Sequence, residues 1–228
     1  MKSKIKTLIS GLLVGAITFL LVQFYGCSAN TGDQENTDKT AVNINEEKGE
    51  KPSCCSSELG EEEYSENSIY QLESEWTNQS GKEINISELK GKPVVFTMFF
   101  ASCTYACPIL INDMKKIEAN IPKEDIQNTR FVLVSIDPER DTPAALKEFA
   151  KKYSLDLNRW SLLTGSKDNI QELAAVLGFK YKKEENGEYS HSNLINILDE
   201  EGEVVYQHTG LNKDIAVASE KLDEQNKF

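Results

Sequence analysis

Histidine is almost missing from this chain: His191 and His208 are the only two among 228 residues. A metal site must therefore draw on sulfur or carboxylate as well as imidazole, and few combinations are open. Positive charge is also in deficit. Lys and Arg number 25 against 37 Asp and Glu, a formal net charge of −12, which excludes a protein that grips nucleic acid through a basic face. The acidic excess reads as a solubilising surface. A small fold stapled by disulfides is excluded by where the five cysteines fall. Only Cys103 and Cys107 lie in patterned sequence; Cys54 and Cys55 adjoin in a polar stretch, and Cys27 follows an apolar run. Internal repeats are absent. So is the Thr-x-x-Cys setting of a thiol peroxidase, because Phe100 stands three residues before Cys103.

What is present centres on residues 94–108. A strand-like apolar run, Val94-Val95-Phe96-Thr97-Met98-Phe99-Phe100, feeds directly into Cys103-x-x-x-Cys107-Pro108. A helical pattern follows, with Ile109, Leu110, Met114, Ile117 and Ile121 on one side and Asp113, Lys115, Lys116 and Glu118 on the other. Cysteines four apart at a helix opening share one face, one turn apart. The helix N-terminus favours negative charge, so both thiols are expected to lean toward thiolate, the form that binds metal or attacks sulfur.

The N-terminal end is of another kind. Met1 to Lys6 is basic, and Thr7 to Tyr25 is a charge-free run of about 19 residues, just long enough to span a bilayer. Lysines ahead of the run hold that end in the cytoplasm and send the rest outward. The run closes on Gly26-Cys27, which resembles a bacterial lipobox with Phe24 and Tyr25 in place of the usual Leu and small residue. Residues 1–27 are thus a lipoprotein signal acylated at Cys27 or an uncleaved membrane anchor. Residues 28–68, rich in Asn, Thr, Glu, Lys, Gly and Ser, read as a flexible linker. Within it Cys54-Cys55 is either an incidental pair or an accessory that passes metal or exchanges disulfides with the main site.

Residues 69–228 carry the folded domain. Tyr70–Leu72 and Glu75–Asn78, a turn at Gln79–Lys82, and Glu83–Ile86 predict an N-terminal β-hairpin. The near-continuous apolarity of Val94–Phe100 and of Thr129–Ile136 predicts strands buried on both faces. Thr142 followed by Pro143 predicts a helix start. Trp160–Leu163 reads as a short strand, and a helix from near Ser166 stops at Gly178. Lys180–Glu188 reads as a charged loop. Asn193–Asp199 and Glu203–Gln207 form a late hairpin, and a helix from about Asn212 closes the chain. This order predicts an α/β mixed sheet with helices on both faces, and with a cysteine pair ending the first long strand it resembles the thioredoxin fold. His208, past the hairpin, is assigned to the surface.

Thioredoxin-like oxidoreductases carry Cys-x-x-Cys and a proline beside the pair. Here the sulfurs are one residue further apart, and Ser192, preceded by His191, matches the proline position. Two thiolates and an imidazole form a soft set suited to copper. The segments Cys103–Pro108, Ser135-Ile136-Asp137-Pro138-Glu139-Arg140-Asp141-Thr142-Pro143, and His191-Ser192 ahead of a strand together resemble the Sco/SenC family, over about Ser68 to Leu211. The resemblance implies a membrane-anchored, extracytoplasmic copper chaperone that helps build the dinuclear copper site of cytochrome c oxidase. Its partners would be the oxidase copper-site subunit, another copper chaperone, and the membrane. It implies Cys103, Cys107 and His191 as ligands of Cu(I) or Cu(II), with Asp137 and Asp141 supporting the site or the partner surface. Two other classes stay open. One is a thiol–disulfide reductase in which Cys103 and Cys107 are the redox pair; the other is a copper sensor or buffer with no oxidase client.

Overall fold

The computed structural model describes residues 64–227. The expected anchor, Cys27, and Cys54 and Cys55 lie outside the described residues.

Strand β3 (Val94–Phe99) lies inside the sheet and is buried along its whole length. Val, Phe and Met on both pleat faces leave no side for water, so both must be covered. Parallel neighbours β4 (Arg130–Ser135) and β5 (Trp160–Gly165) follow on one side. On the other side β8 (Leu194–Leu198) runs antiparallel to β3, and β9 (Val204–Thr209) antiparallel to β8. The N-terminal hairpin, β1 (Glu75–Asn78) and β2 (Glu83–Asn85), extends the sheet beyond β5, giving the order β2-β1-β5-β4-β3-β8-β9.

The parallel connections are helical, as parallel pairs require. Helix α1 (Ala106–Asn120) joins β3 to β4, and α2 (Pro143–Lys152) joins β4 to β5. Helices α3 (Lys167–Val176) and α4 (Ala216–Gln225) follow β5 and β9. The expected caps are present: Thr142 Oγ1 accepts from Ala145 N–H at 3.3 Å, with Pro143 in the first turn, and Ser166 Oγ accepts from Asn169 N–H at 3.1 Å. Helices α1 and α4 pack on each other and on β8, and α2 lies against β5. Phe131 and Trp160 stack across β4 and β5 with ring centroids 4.6 Å apart, the kind of aromatic pair that adds about 0.5–1.5 kcal/mol beyond area burial.

The structure corrects several readings. Tyr70 and Gln71 are not part of the hairpin but of a 3-10 turn, Ile69–Gln71, started by Ser68 Oγ accepting from Tyr70 N–H. Ser65 and Ser68 bond to the β8–β9 turn through Glu203 and the Glu201 carbonyl. Gly202 in that turn has φ +83°, and a Cβ there would stand 2.7 Å from the Tyr70 ring; no side chain fits. Asp113, placed outward by helical periodicity, is fully buried, its Oδ1 held by Lys116 Nζ at 2.7 Å. His208 is 4% exposed rather than on the surface, and its Nε2 has no hydrogen-bond partner among the described residues. The charged stretch Lys180–Glu188 is not a loop. It forms most of a second hairpin, β6 (Tyr181–Lys183) with β7 (Tyr189–His191), a separate two-stranded sheet.

Candidate metal centre

The β3 strand ends at Phe99 and the chain turns through Phe100–Tyr105 before α1 begins. Tyr105 occupies the N-cap position of α1 but provides no side-chain cap. Sulfur supplies one instead: Cys107 N–H points at Cys103 Sγ, 3.3 Å away. Pro108 sits in the first turn, where its missing N–H costs nothing. Cys107 is fully buried and Cys103 partly so, and both are free thiols.

The third residue arrives from the small hairpin. His191 ends β7, and its Nε2 lies 3.8 Å from Cys107 Sγ. The two sulfurs and a ring nitrogen lie within 4.8 Å of one another. His191 Nδ1 lies 2.7 Å from its neighbour's carbonyl, Ser192 O. A proton on Nδ1 satisfies that bond and leaves the Nε2 lone pair facing the sulfurs, the arrangement a metal-ligating imidazole needs. The ring stands edge-on to Phe100 (5.7 Å) and stacks on Phe179 (5.8 Å), so aromatic walls set its plane.

The sulfurs are not alike in charge, which corrects the expectation that both lean toward thiolate. Cys103 is driven well below the ordinary thiol range, first by the hydrogen bond from the Cys107 thiol, then by His191 and by backbone N–H groups at the helix start. Cys107 is pushed up by that same shared bond and by burial. The two sulfurs therefore lean in opposite directions, Cys103 toward thiolate and Cys107 toward thiol. Burial acts to lower the His191 pKa, but its contacts with Cys103 and Ser192 outweigh this and leave it raised. Such a group can attack a disulfide through Cys103, or close on a soft ion once both sulfurs are deprotonated.

Asp137 and Asp141 are both buried but touch no ligand atom directly. Asp141 Oδ2 accepts from Ala101 N–H at 2.9 Å and from Ser135 Oγ at 2.5 Å, and burial raises its pKa despite these bonds. Asp137 is paired with Arg140 and reached by Tyr189 Oη at 3.4 Å. Arg140 did not stand out in the sequence reading; its only signal was its place inside the 135–143 segment. A cleft of about 320 Å³ opens over the centre, lined by Phe100, Cys103, Tyr105, Glu188, Tyr189 and His191. Tyr105, between the two cysteines, is 73% exposed.

A dithiol at a helix start, met by an imidazole from a hairpin beside a mixed sheet, defines a thioredoxin-like protein with a Cys-Cys-His group that could hold a metal ion. The SCO1/SenC family model matches residues 62–225, and the chain belongs to that family. A relative described as SCO1 protein homolog, from Bacillus subtilis (strain 168), is 30% identical over 137 residues, 59% of this chain and 70% of the relative. Among solved structures, a SCO1/SenC family lipoprotein from Bacillus anthracis str. Ames is 30% identical with TM-score 0.61, covering 66% of this chain and 91% of that one. Bradyrhizobium japonicum ScoI with copper bound is 25% identical with TM-score 0.57, covering 67% and 96%. BsSco, described as a member of the Sco family of cytochrome c oxidase assembly proteins with a disulfide switch, is 27% identical with TM-score 0.60, covering 68% and 91%. Among the described residues no helix is long and apolar enough to cross a membrane.

Proposed function

We propose that this protein is a membrane-tethered, extracytoplasmic copper carrier that delivers its ion to the copper-site subunit of cytochrome c oxidase. One observation carries the reading: two sulfurs and Nε2 of His191 converge within 4.8 Å. Thiolate and imidazole donors favour copper over hard cations, and copper is bound in the ScoI relative. The oxidase as client is supported by the family description of BsSco. Tethering is supported by the charge-free run ending at Cys27 and by the lipoprotein relative; mass measurement of the mature N-terminus separates acylated Cys27 from an uncleaved anchor.

Copper is the cargo. Cys103, which leans toward thiolate, and Cys107, which loses its proton on loading, supply two sulfurs, and the neutral ring of His191 completes a three-coordinate set. The open cleft lets an incoming thiolate or imidazole join before Cys103, Cys107 and His191 let go. Oxidation of the pair to a disulfide removes two electrons and the one proton left on Cys107 and abolishes the sulfur ligands, which ties loading to redox state.

A second reading is favoured by the split between the sulfurs. A Cys103 thiolate beside a protonated Cys107 is poised to reduce a disulfide. Cys103 attacks one sulfur and expels a thiolate; Cys107 then attacks Cys103 Sγ, releases the second thiol and leaves a Cys103–Cys107 disulfide that an external dithiol must reduce. The His191→Ala protein separates the two. As a carrier it loses most of its copper affinity and keeps its disulfide reduction. Wild-type reduced protein that takes up no copper, or Cys103→Ser protein that keeps full affinity, defeats the carrier reading.

A further inference from the structure

The β6–β7 hairpin brings His191 to the centre, yet no strand ladder joins it to the seven-stranded sheet. Its base is closed on itself: Ser192 N–H donates to the Lys180 carbonyl at 2.8 Å, and Lys180 N–H to Ser192 Oγ at 3.0 Å. Side chains must therefore hold the hairpin against the body. Its turn contains Gly187, at φ +81°, and the Gly187 carbonyl accepts from Arg140 Nη2 at 2.9 Å. The same guanidinium donates through Nε to the fully buried Asp137 carboxylate and lies 3.9 Å from Glu188. It stands 6.0 Å from the centroid of Phe100, whose ring meets both Tyr189 (5.4 Å) and His191 (5.7 Å). Tyr189 itself reaches Asp137. The other tie, Lys183 to Glu139 at 2.9 Å, is an exposed pair, of the kind that contributes little in water.

From this geometry we infer that Arg140 is a positioning residue for His191: it pins the β6–β7 turn to the Asp137–Asp141 loop, and so sets how far Nε2 stands from the two sulfurs. The inference deepens the carrier reading and rests on it for its copper arm. The loop is a firm base, because Asp141 is bonded to Ala101 N–H just ahead of Cys103. One side-chain fork thus links the segment bearing the imidazole to the segment bearing the thiols. The planar guanidinium serves carboxylate and carbonyl at once, which an ammonium at the end of a lysine does not.

The test uses the full chain with Arg140→Ala and Arg140→Lys, each in the wild-type and His191→Ala backgrounds. In the reduced, metal-free protein, backbone amides of residues 181–191 exchange about tenfold faster or more in either variant, while β3 and β4 are unchanged. Cu(I) affinity, measured by competition with a chromophoric chelator, falls about 10- to 100-fold, the usual cost of losing a group behind a ligand. In the His191→Ala background Arg140→Ala causes no further loss, because the effect travels through that imidazole. Unchanged hairpin exchange overturns the proposal, as does an equal loss of affinity in both backgrounds. Should Arg140→Ala fail to fold, Arg140→Lys carries the same comparison. Wild-type protein that refuses copper sinks the carrier reading, and hydrogen exchange then still decides whether Arg140 pins the hairpin.

Discussion

The carboxylate of Asp141 accepts a hydrogen bond from the backbone N–H of Ala101 at 2.9 Å, two residues ahead of Cys103. Asp141 is 2% exposed and its other donor is Ser135 Oγ. Replacing it with Asn exchanges a charged acceptor for a neutral amide, with an expected loss of about 1–3 kcal/mol of stability at neutral pH.

The pH dependence of that loss has a definite sign. Burial raises the folded-state pKa of Asp141 above the ordinary carboxylate value, so the folded protein binds this proton more tightly than the unfolded chain. The group's titration therefore favours the fold below about pH 4, and this contribution disappears as pH rises through the raised folded value. Wild-type stability minus Asp141→Asn stability should shrink from pH 4 toward pH 7 in denaturant titrations. A difference that grows over that range would show that the hydrogen bonds outweigh burial.

Cys103 owes its low pKa first to the Cys107 thiol. Cys107→Ala removes that S–H donor and keeps the backbone N–H, so the thiolate loses its strongest single support. The midpoint of the pH profile for alkylation of Cys103 by iodoacetamide should move up. A midpoint that stays in place would mean that the helix start, not the neighbouring thiol, stabilises the anion.

His208 lies in β9 opposite Ile195, buried and with Nε2 unpartnered. A buried polar atom left without a partner costs about 1–3 kcal/mol. His208→Leu should therefore be neutral or stabilising in thermal melts and leave copper stoichiometry unchanged. Loss of copper binding in that variant would place His208 in the site's machinery.

The central strands were legible because apolar runs buried on both faces leave a continuous signal, and Thr142-Pro143 and Ser166 mark helix starts by their own chemistry. The two cysteines announced themselves by spacing, and the imidazole by its position before β8. Less visible were features set by tertiary partners. Lys180–Glu188 carries hardly any apolar alternation because its hairpin rests on a few aromatic contacts of Tyr181 and Tyr189 and on ion pairs. Asp113 follows the polar periodicity of α1, but helical spacing cannot tell which flank a neighbouring element covers; here Lys116 reaches back to it. The opposite leanings of Cys103 and Cys107 depend first on the bond between the two sulfurs and then on the deeper burial of Cys107, which no spacing reveals. Arg140 was hidden for a similar reason: its partner Gly187 is 47 residues away.

The detached state of the β6–β7 hairpin has a consequence for turnover. Because His191 arrives on a two-stranded flap outside the seven-stranded sheet, withdrawing the ring breaks no rung of the main ladder. If the chain carries copper as proposed, release that needs the ring to withdraw costs a local opening rather than global unfolding.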